Sequence, residues 1–312
     1  MTGIPFPSDP RADAKPEVLR ADGVRVGYDT HAVIEGLDVG FPSGSITALV
    51  GPNASGKSTL LKALARLLPL QEGQVLLDGA ALHTMSSRVI AQRLGMLPQS
   101  PLAPEGITVA DLVSRGRHPH GRLFRRTLDQ DLRIVAGALV ATGTAELADR
   151  PVDSLSGGQR QRVWIAMALA QETSLLLLDE PTTYLDIAHQ IEVLDLLADL
   201  RVTSAKTIVM VLHDLEQAAA YADRLLVLSE GRLVAEGPPG EVLTEQLVLD
   251  VFGLRSRIIP DPDTGSPLIL PRGRHSSAPT PAMPSTTAPS TLTAPSTLTA
   301  PSTSNPTSQE IP

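Results

Sequence analysis

The sequence predicts an α/β fold in which a helical segment interrupts an alternation of strands and helices. Three observations carry this. The apolar run Ile46-Thr47-Ala48-Leu49-Val50 leads into Gly51-Pro52-Asn53-Ala54-Ser55-Gly56-Lys57-Ser58-Thr59 and then into a leucine-rich, helix-like stretch. A second apolar run, residues 175–178, ends in Asp179-Glu180. Between them, Leu155-Ser156-Gly157-Gly158-Gln159 heads another helix-like stretch.

The elements follow in order. Residues 1–16 are rich in Pro, Asp and Ala, lack the apolar core of a secretory signal, and read as a disordered leader. Residues 18–26 alternate apolar and polar side chains as a half-buried strand does, and Tyr28 ends them. Residues 38–41 read as another strand, with Pro42-Ser43-Gly44 as its turn. After the first glycine-rich loop, Leu60, Leu61, Leu64, Leu67 and Leu68 fall on one helix face, closed by Pro69. Residues 74–77 form a short strand with Asp78-Gly79 as turn. From Pro101 to about Gln171 the texture is helical. It includes a cap at Thr108-x-x-Asp111, a basic segment (Arg115, Arg117, His118, His120, Arg122, Arg125, Arg126), a helix over 129–140, and a helix after Ser156 that holds Trp164. Strands return at 175–178 and 207–212, separated by a helix with Ile187, Ile191, Leu194 and Leu197 on one side. Residues 225–228 and 233–235, around Glu230-Gly231, read as a hairpin, and 243–252 as a final helix. Residues 275–312 are a Ser/Thr/Pro/Ala tail holding two copies of A-P-S-T-L-T. They carry too little apolar surface to fold.

Composition narrows the function. A net charge of -8 argues against nucleic acid as the main partner. The absence of cysteine rules out disulfides, thiolate metal sites and thiol catalysis. No apolar run reaches the length that spans a bilayer.

The chemistry lies in the loops. G-x-x-x-x-G-K-S between a strand and a helix is a phosphate-binding loop. Its glycines let backbone N–H groups turn inward as an anion nest, and the helix N-terminus adds partial positive charge. Lys57 is placed for the β- and γ-phosphates and Ser58 for Mg²⁺. A buried strand ending in a carboxylate supplies a second metal ligand, Asp179, and puts Glu180 where it can orient or deprotonate an attacking water. Ser156 caps a helix whose first residues are Gly157 and Gly158, a second phosphate-binding surface. One γ-phosphate needs one such surface per chain, so its target is a nucleotide held by another subunit.

With these motifs in this order, residues 18–274 resemble the ATP-binding subunit of an ATP-binding-cassette (ABC) transporter. The resemblance implies a P-loop α/β core, an antiparallel β-subdomain and a helical subdomain inserted at about 101–171, within an ATPase domain spanning 17–274. It matches residues 51–59 to the Walker A loop, Leu155–Gln159 to the LSGGQ element and 175–180 to Walker B with the catalytic Glu180. It makes Gln99 the Q-loop glutamine and a metal ligand, Asp186 the D-loop residue, His213 the switch histidine, and Tyr28 the aromatic that stacks on adenine. Ala54 departs from the glycine of many relatives, at a position where little effect is expected. The implied cofactors are ATP and Mg²⁺. The implied assembly is a head-to-tail homodimer on the cytoplasmic face of the membrane, under an integral permease fed by an extracytoplasmic binding protein.

The runs 184–190, 115–120 and 257–262 are similar to the iron–siderophore, haem and cobalamin branch, with ferric siderophore preferred and a regulatory, non-transport ATPase as rival. The basic segment is expected to help dock a coupling helix of the permease.

Overall fold

In the computed structural model, residues 16–29, 31–120 and 128–273 are described. The leader before Pro16, Arg122, Arg125, Arg126 and the tail from Arg274 lie outside them. The chain runs β1 Glu17–Tyr28, β2 His31–Pro42, β3 Ile46–Val50, α1 Lys57–Leu64, β4 Glu72–Leu77 and β5 Ala80–Ala81. Next come α2 Ser87–Ala91, β6 Leu94–Leu97, α3 Val109–Ser114, α4 Leu128–Ala141, α5 Gly157–Ala170 and β7 Leu175–Asp179. It closes with α6 Ile187–Ser204, β8 Thr207–Val211, α7 Leu215–Tyr221, β9 Arg224–Ser229, β10 Arg232–Gly237, α8 Pro239–Val242, α9 Glu245–Phe252, β11 Ser256–Pro260 and β12 Pro267–Pro271.

Two sheets carry the fold. The antiparallel sheet has the order β2-β1-β4-β5. The other has the order β10-β9-β3-β8-β7-β6, with β3 parallel to both β8 and β9, and β7 parallel to both β6 and β8. Its central strands are continuous apolar runs because both faces are covered. Leu176, Leu178, Ile208 and Met210 enter the core shared with α3, α4 and α5. Leu175, Leu177, Val209 and Val211 enter the core shared with α1 and the antiparallel sheet. The alternation of side chains along a strand thus splits each run between two cores. The helices α3, α4 and α5 sit in the chain between β6 and β7.

Local chemistry sets the ends. Thr108 caps α3 by accepting the N–H of Asp111, and Ser156 forms a capping box with Gln159. Asp78-Gly79 and Glu230-Gly231 turn with positive φ at both residues, the hairpin geometry that matches strand twist.

Several expectations fail. Leu67 is 66% exposed. Arg66 takes a left-handed φ of 57°, and the N–H groups of Arg66 and Leu67 bond back to Ala63 and Lys62, ending α1 before Leu67 joins the buried face. On α6 the buried side chains are Val193, Leu194, Leu197 and Leu200, while Ile187 is exposed. The strand expected at 38–41 begins at His31, paired along β1. The helix expected to be last stands as α9, but the hairpin of β11 with β12 that follows it had no expectation in the sequence.

Residues 115–120 of the basic segment form a short 3-10 turn in which Arg115 and His118 are exposed. Arg117 is buried, donating to Asp131 on α4, to Glu172 and to the carbonyl of Ala170. Pro119 accepts from Arg88 and Gln92, and His120 bonds the carbonyl of Gln171. Trp164 is also buried, packed between the helices and the sheet.

Candidate active site

The parallel strands deliver their functional residues to one end of the sheet, just beyond the carboxyl ends of β3, β7 and β8. Gly51 leaves β3 with a φ of 152°, and a Cβ there would collide with the carbonyl oxygen of Leu228. Only glycine fits. Ser55 donates its N–H to the Pro52 carbonyl, tightening the turn, and Gly56, with φ 100°, opens α1. Ala54 holds φ 63°, so its position asks for left-handed backbone even though its side chain is free to vary.

Lys57 folds across this loop. Its Nζ donates to the carbonyls of Gly51 and Pro52 at 2.8 Å each. Burial pushes its ammonium down, against the pull of Glu180 and Asp179. A cleft of about 310 Å³ opens over the loop, lined by residues 53–59 with Val33, Glu180 and His213. Val33, on β2, carries no signal in the sequence that would single it out.

The two carboxylates behave differently. Ser58 Oγ donates to Asp179 Oδ1 at 2.8 Å. Burial pushes the Asp179 carboxyl up, with the Ser58 bond working against it. Glu180 has a φ of 55°, which turns it out of the strand direction. Its Oε2 accepts Gln99 Nε2 at 2.6 Å and Thr183 Oγ1 at 2.9 Å, and its Oε1 lies 2.6 Å from His213 Nε2. Burial opposes its charge, but the bonds from His213, Thr183 and Gln99 outweigh it and hold the carboxyl below its usual range. A carboxylate kept ionised, on a side chain only 9% exposed, beside a phosphate loop is equipped to take a hydrogen bond from water. Thr183 was not singled out by the sequence, where it is one hydroxyl among many.

The remaining residues stand elsewhere. Tyr28 is about half exposed at the end of β1 and is not among the residues lining the cleft. Ser156 and Gln159 bond each other at the head of α5, with Gly157 and Gly158 as its first residues. Asp186 caps α6, its carboxylate held below the usual range by the N–H and ring of His189. None of these six lines the cleft of the same chain.

Known proteins are similar to this chain. Residues 34–183 match the family model described as ABC transporter. Ferric enterobactin transport ATP-binding protein FepC of Escherichia coli (strain K12) is 50% identical over 82% of this chain and 94% of its own. Achromobactin transport ATP-binding protein CbrD of Dickeya dadantii (strain 3937) is 53% identical over 80% of this chain and 93% of its own. Among solved structures, a chain of an ABC transporter in an inward-facing conformation superposes with a TM-score of 0.71 at 30% identity, over 82% of this chain and 98% of that one. With half of its residues shared along nearly the whole of such relatives, the chain belongs to the ABC transporter family, as one of its ATP-hydrolysing subunits.

Proposed function

We propose that this subunit powers uptake of a ferric siderophore, splitting ATP between two copies of itself beneath a membrane permease. The observation that supports the catalytic reading best is Glu180, ionised and gripped by Gln99, Thr183 and His213 at the mouth of the phosphate loop. Glu180 takes a proton from, or aligns, the attacking water, while Gln99 and His213 fix its direction. Lys57 leaves its own carbonyl partners to meet the β- and γ-phosphates, and the loop's N–H groups hold them. Tyr28 stacks on adenine.

Ser58 and Asp179 fit a Mg²⁺ ion, since a hydroxyl and a carboxylate 2.8 Å apart are hard oxygen donors. The side-chain oxygen of Gln99 would be the third protein ligand. No cluster of three or more His, Cys, Asp or Glu suited to a metal occurs among the described residues. That suits an ion drawing its other ligands from phosphate and water. Bound there, Mg²⁺ supplies charge neutralisation on the transferred phosphoryl group.

In this reading residues 17–274 form the ATPase domain and about 101–171 its helical subdomain. Ser156, Gly157, Gly158, Gln159 and Asp186 meet the nucleotide of the second copy. Among the described residues no helix is long and apolar enough to cross a membrane. Attachment then runs through the permease at the cytoplasmic face, with an extracytoplasmic binding protein delivering the cargo. The siderophore reading draws on FepC and CbrD. A hemin import ATP-binding protein, HmuV of Streptomyces coelicolor, is less similar at 43%.

The test is complementation of a strain lacking the gene, scored by uptake of radiolabelled ferric siderophore. Wild-type chain restores uptake. Glu180→Gln does not, its hydrolysis falling about a hundredfold to ten-thousandfold while ATP binding is kept. Unchanged siderophore uptake in the deleted strain would reject the cargo, and normal turnover in E180Q would reject the base.

A further inference from the structure

Two neighbours of Asp186 tie it to different helices. His189 Nδ1 lies 2.7 Å from Asp186 Oδ1, the oxygen that also accepts the His189 N–H at 3.0 Å. An ionised carboxylate only accepts, so Nδ1 carries the hydrogen. The same ring covers the first turn of α5, where a Cβ added to Gly158 would meet it at 2.7 Å. Further along the two helices, Arg162 pairs with Glu192 at 3.1 Å.

Gln190 serves another set of partners. Its Nε2 donates to the carbonyls of Leu185 at 3.1 Å and Thr182 at 3.3 Å, both in the segment between Glu180 and Asp186. Its Oε1 accepts Gln217 Nε2 at 2.6 Å. Gln217 is in the first turn of α7, the helix capped by Asp214 directly after His213. Neither His189 nor Gln190 lines the nucleotide cleft.

We propose that His189 and Gln190 are positioning residues that brace the Asp186 loop between α5 and α7. His189 holds the Asp186 carboxylate and the glycine-headed turn of α5 at one spacing, so both reach the partner's nucleotide together. Gln190 fastens the backbone of that loop to the helix behind His213, so the loop cannot shift without disturbing the group that grips Glu180. The coupling is physical, through contiguous bonds and one close packing contact. It rests on the reading that Ser156–Gln159 and Asp186 meet the nucleotide of a second copy.

The full-length chain tests this by ATP hydrolysis and, in the E180Q background, by ATP-dependent dimerisation in size-exclusion chromatography with light scattering. His189→Ala and Gln190→Ala each lower kcat up to about a hundredfold, as a small misplacement of reacting groups does. KM for ATP and the melting temperature stay near wild type, and the ATP-bound dimer weakens. His189→Asn, whose amide can still donate to Asp186, recovers most of the rate. The Q190A/Q217A double variant loses no more than the worse single one. Full turnover in H189A and Q190A overturns the brace, and so does a loss that H189N does not relieve. A loss matched by falling monomer ATP affinity or melting temperature overturns it too, because that marks a purely structural role. Should the alanine variants not fold, Q217A decides by the same readouts: a lower kcat with unchanged KM and melting temperature supports the brace, and full turnover overturns it. Ser156→Arg separates the two readings. Normal hydrolysis in S156R rejects the second-copy contact itself, whereas a dead S156R beside active H189A and Q190A rejects the brace alone.

Discussion

At Ala54 the backbone is left-handed, with φ 63°, and a methyl group there works against it. The sequence offered only an alanine in a variable slot of the phosphate loop. The structure shows why glycine suits the slot: the demand is on φ, not on side-chain space. Ala54→Gly relieves the strain but frees the unfolded chain, and the two effects nearly offset. The expected outcome is a gain in stability of less than about 1 kcal/mol, read by thermal melting, with ATP affinity unchanged. Glu180 takes a similar backbone state, φ 55°, and there the strain aims the carboxylate at His213, Thr183 and Gln99.

Between elements, buried and half-buried polar pairs decide how helices sit. Arg117 joins α4 to the end of α5 through Asp131, the Ala170 carbonyl and Glu172. Arg117→Ala would leave Asp131 and that carbonyl without their partner. Because Glu172 is half exposed, the expected loss is about 2–3 kcal/mol, below the range for a fully buried pair. Urea titration measures it. Tyr221 on α7 donates to Asp195 on α6 at 2.8 Å. Burial and the Asp195 carboxylate push its phenol up to about 12. The folded chain thus keeps a proton that the unfolded chain releases near pH 10. The stability this contributes is complete below pH 10 and is lost as pH rises from 10 towards 12. Tyr221→Phe is expected to lose about 0.5–1 kcal/mol near neutrality and to lack that alkaline decline, checked by denaturant curves across the pH range.

For the whole molecule, residues 16–273 hold every described element, and Trp164 sits between the helices and the sheet. Its fluorescence is expected to follow loss of this core. The Ser/Thr/Pro/Ala repeat composition of 275–312 is too poor in apolar residues to lead one to expect a packed face. A chain ending at Arg274 is therefore expected to melt and to hydrolyse ATP as the full chain does. A lower melting temperature in the shortened chain would contradict this.

The sequence by itself determined the phosphate loop, the strands that feed it, the caps at Thr108 and Ser156 and the turns at Asp78-Gly79 and Glu230-Gly231. These depend on residues within a few positions of each other, where backbone sterics and local hydrogen bonds act. It also determined the family, because whole motifs stand in order. Only the tertiary structure decided which charges turn inward and which leucines do not. Arg117 finds Glu172 55 positions away, and Leu67 is left exposed by a helix that stops at Leu64, short of the last two leucines of its spacing. The grip on Glu180 from Gln99, 81 positions away, and the Ser58–Asp179 bond across 121 positions exist only once parallel strands bring their ends together. Local pattern names the residues that carry charge or hydroxyls. Which of them meet is set by strand order and by what each helix buries, and neither is written in any short stretch of chain.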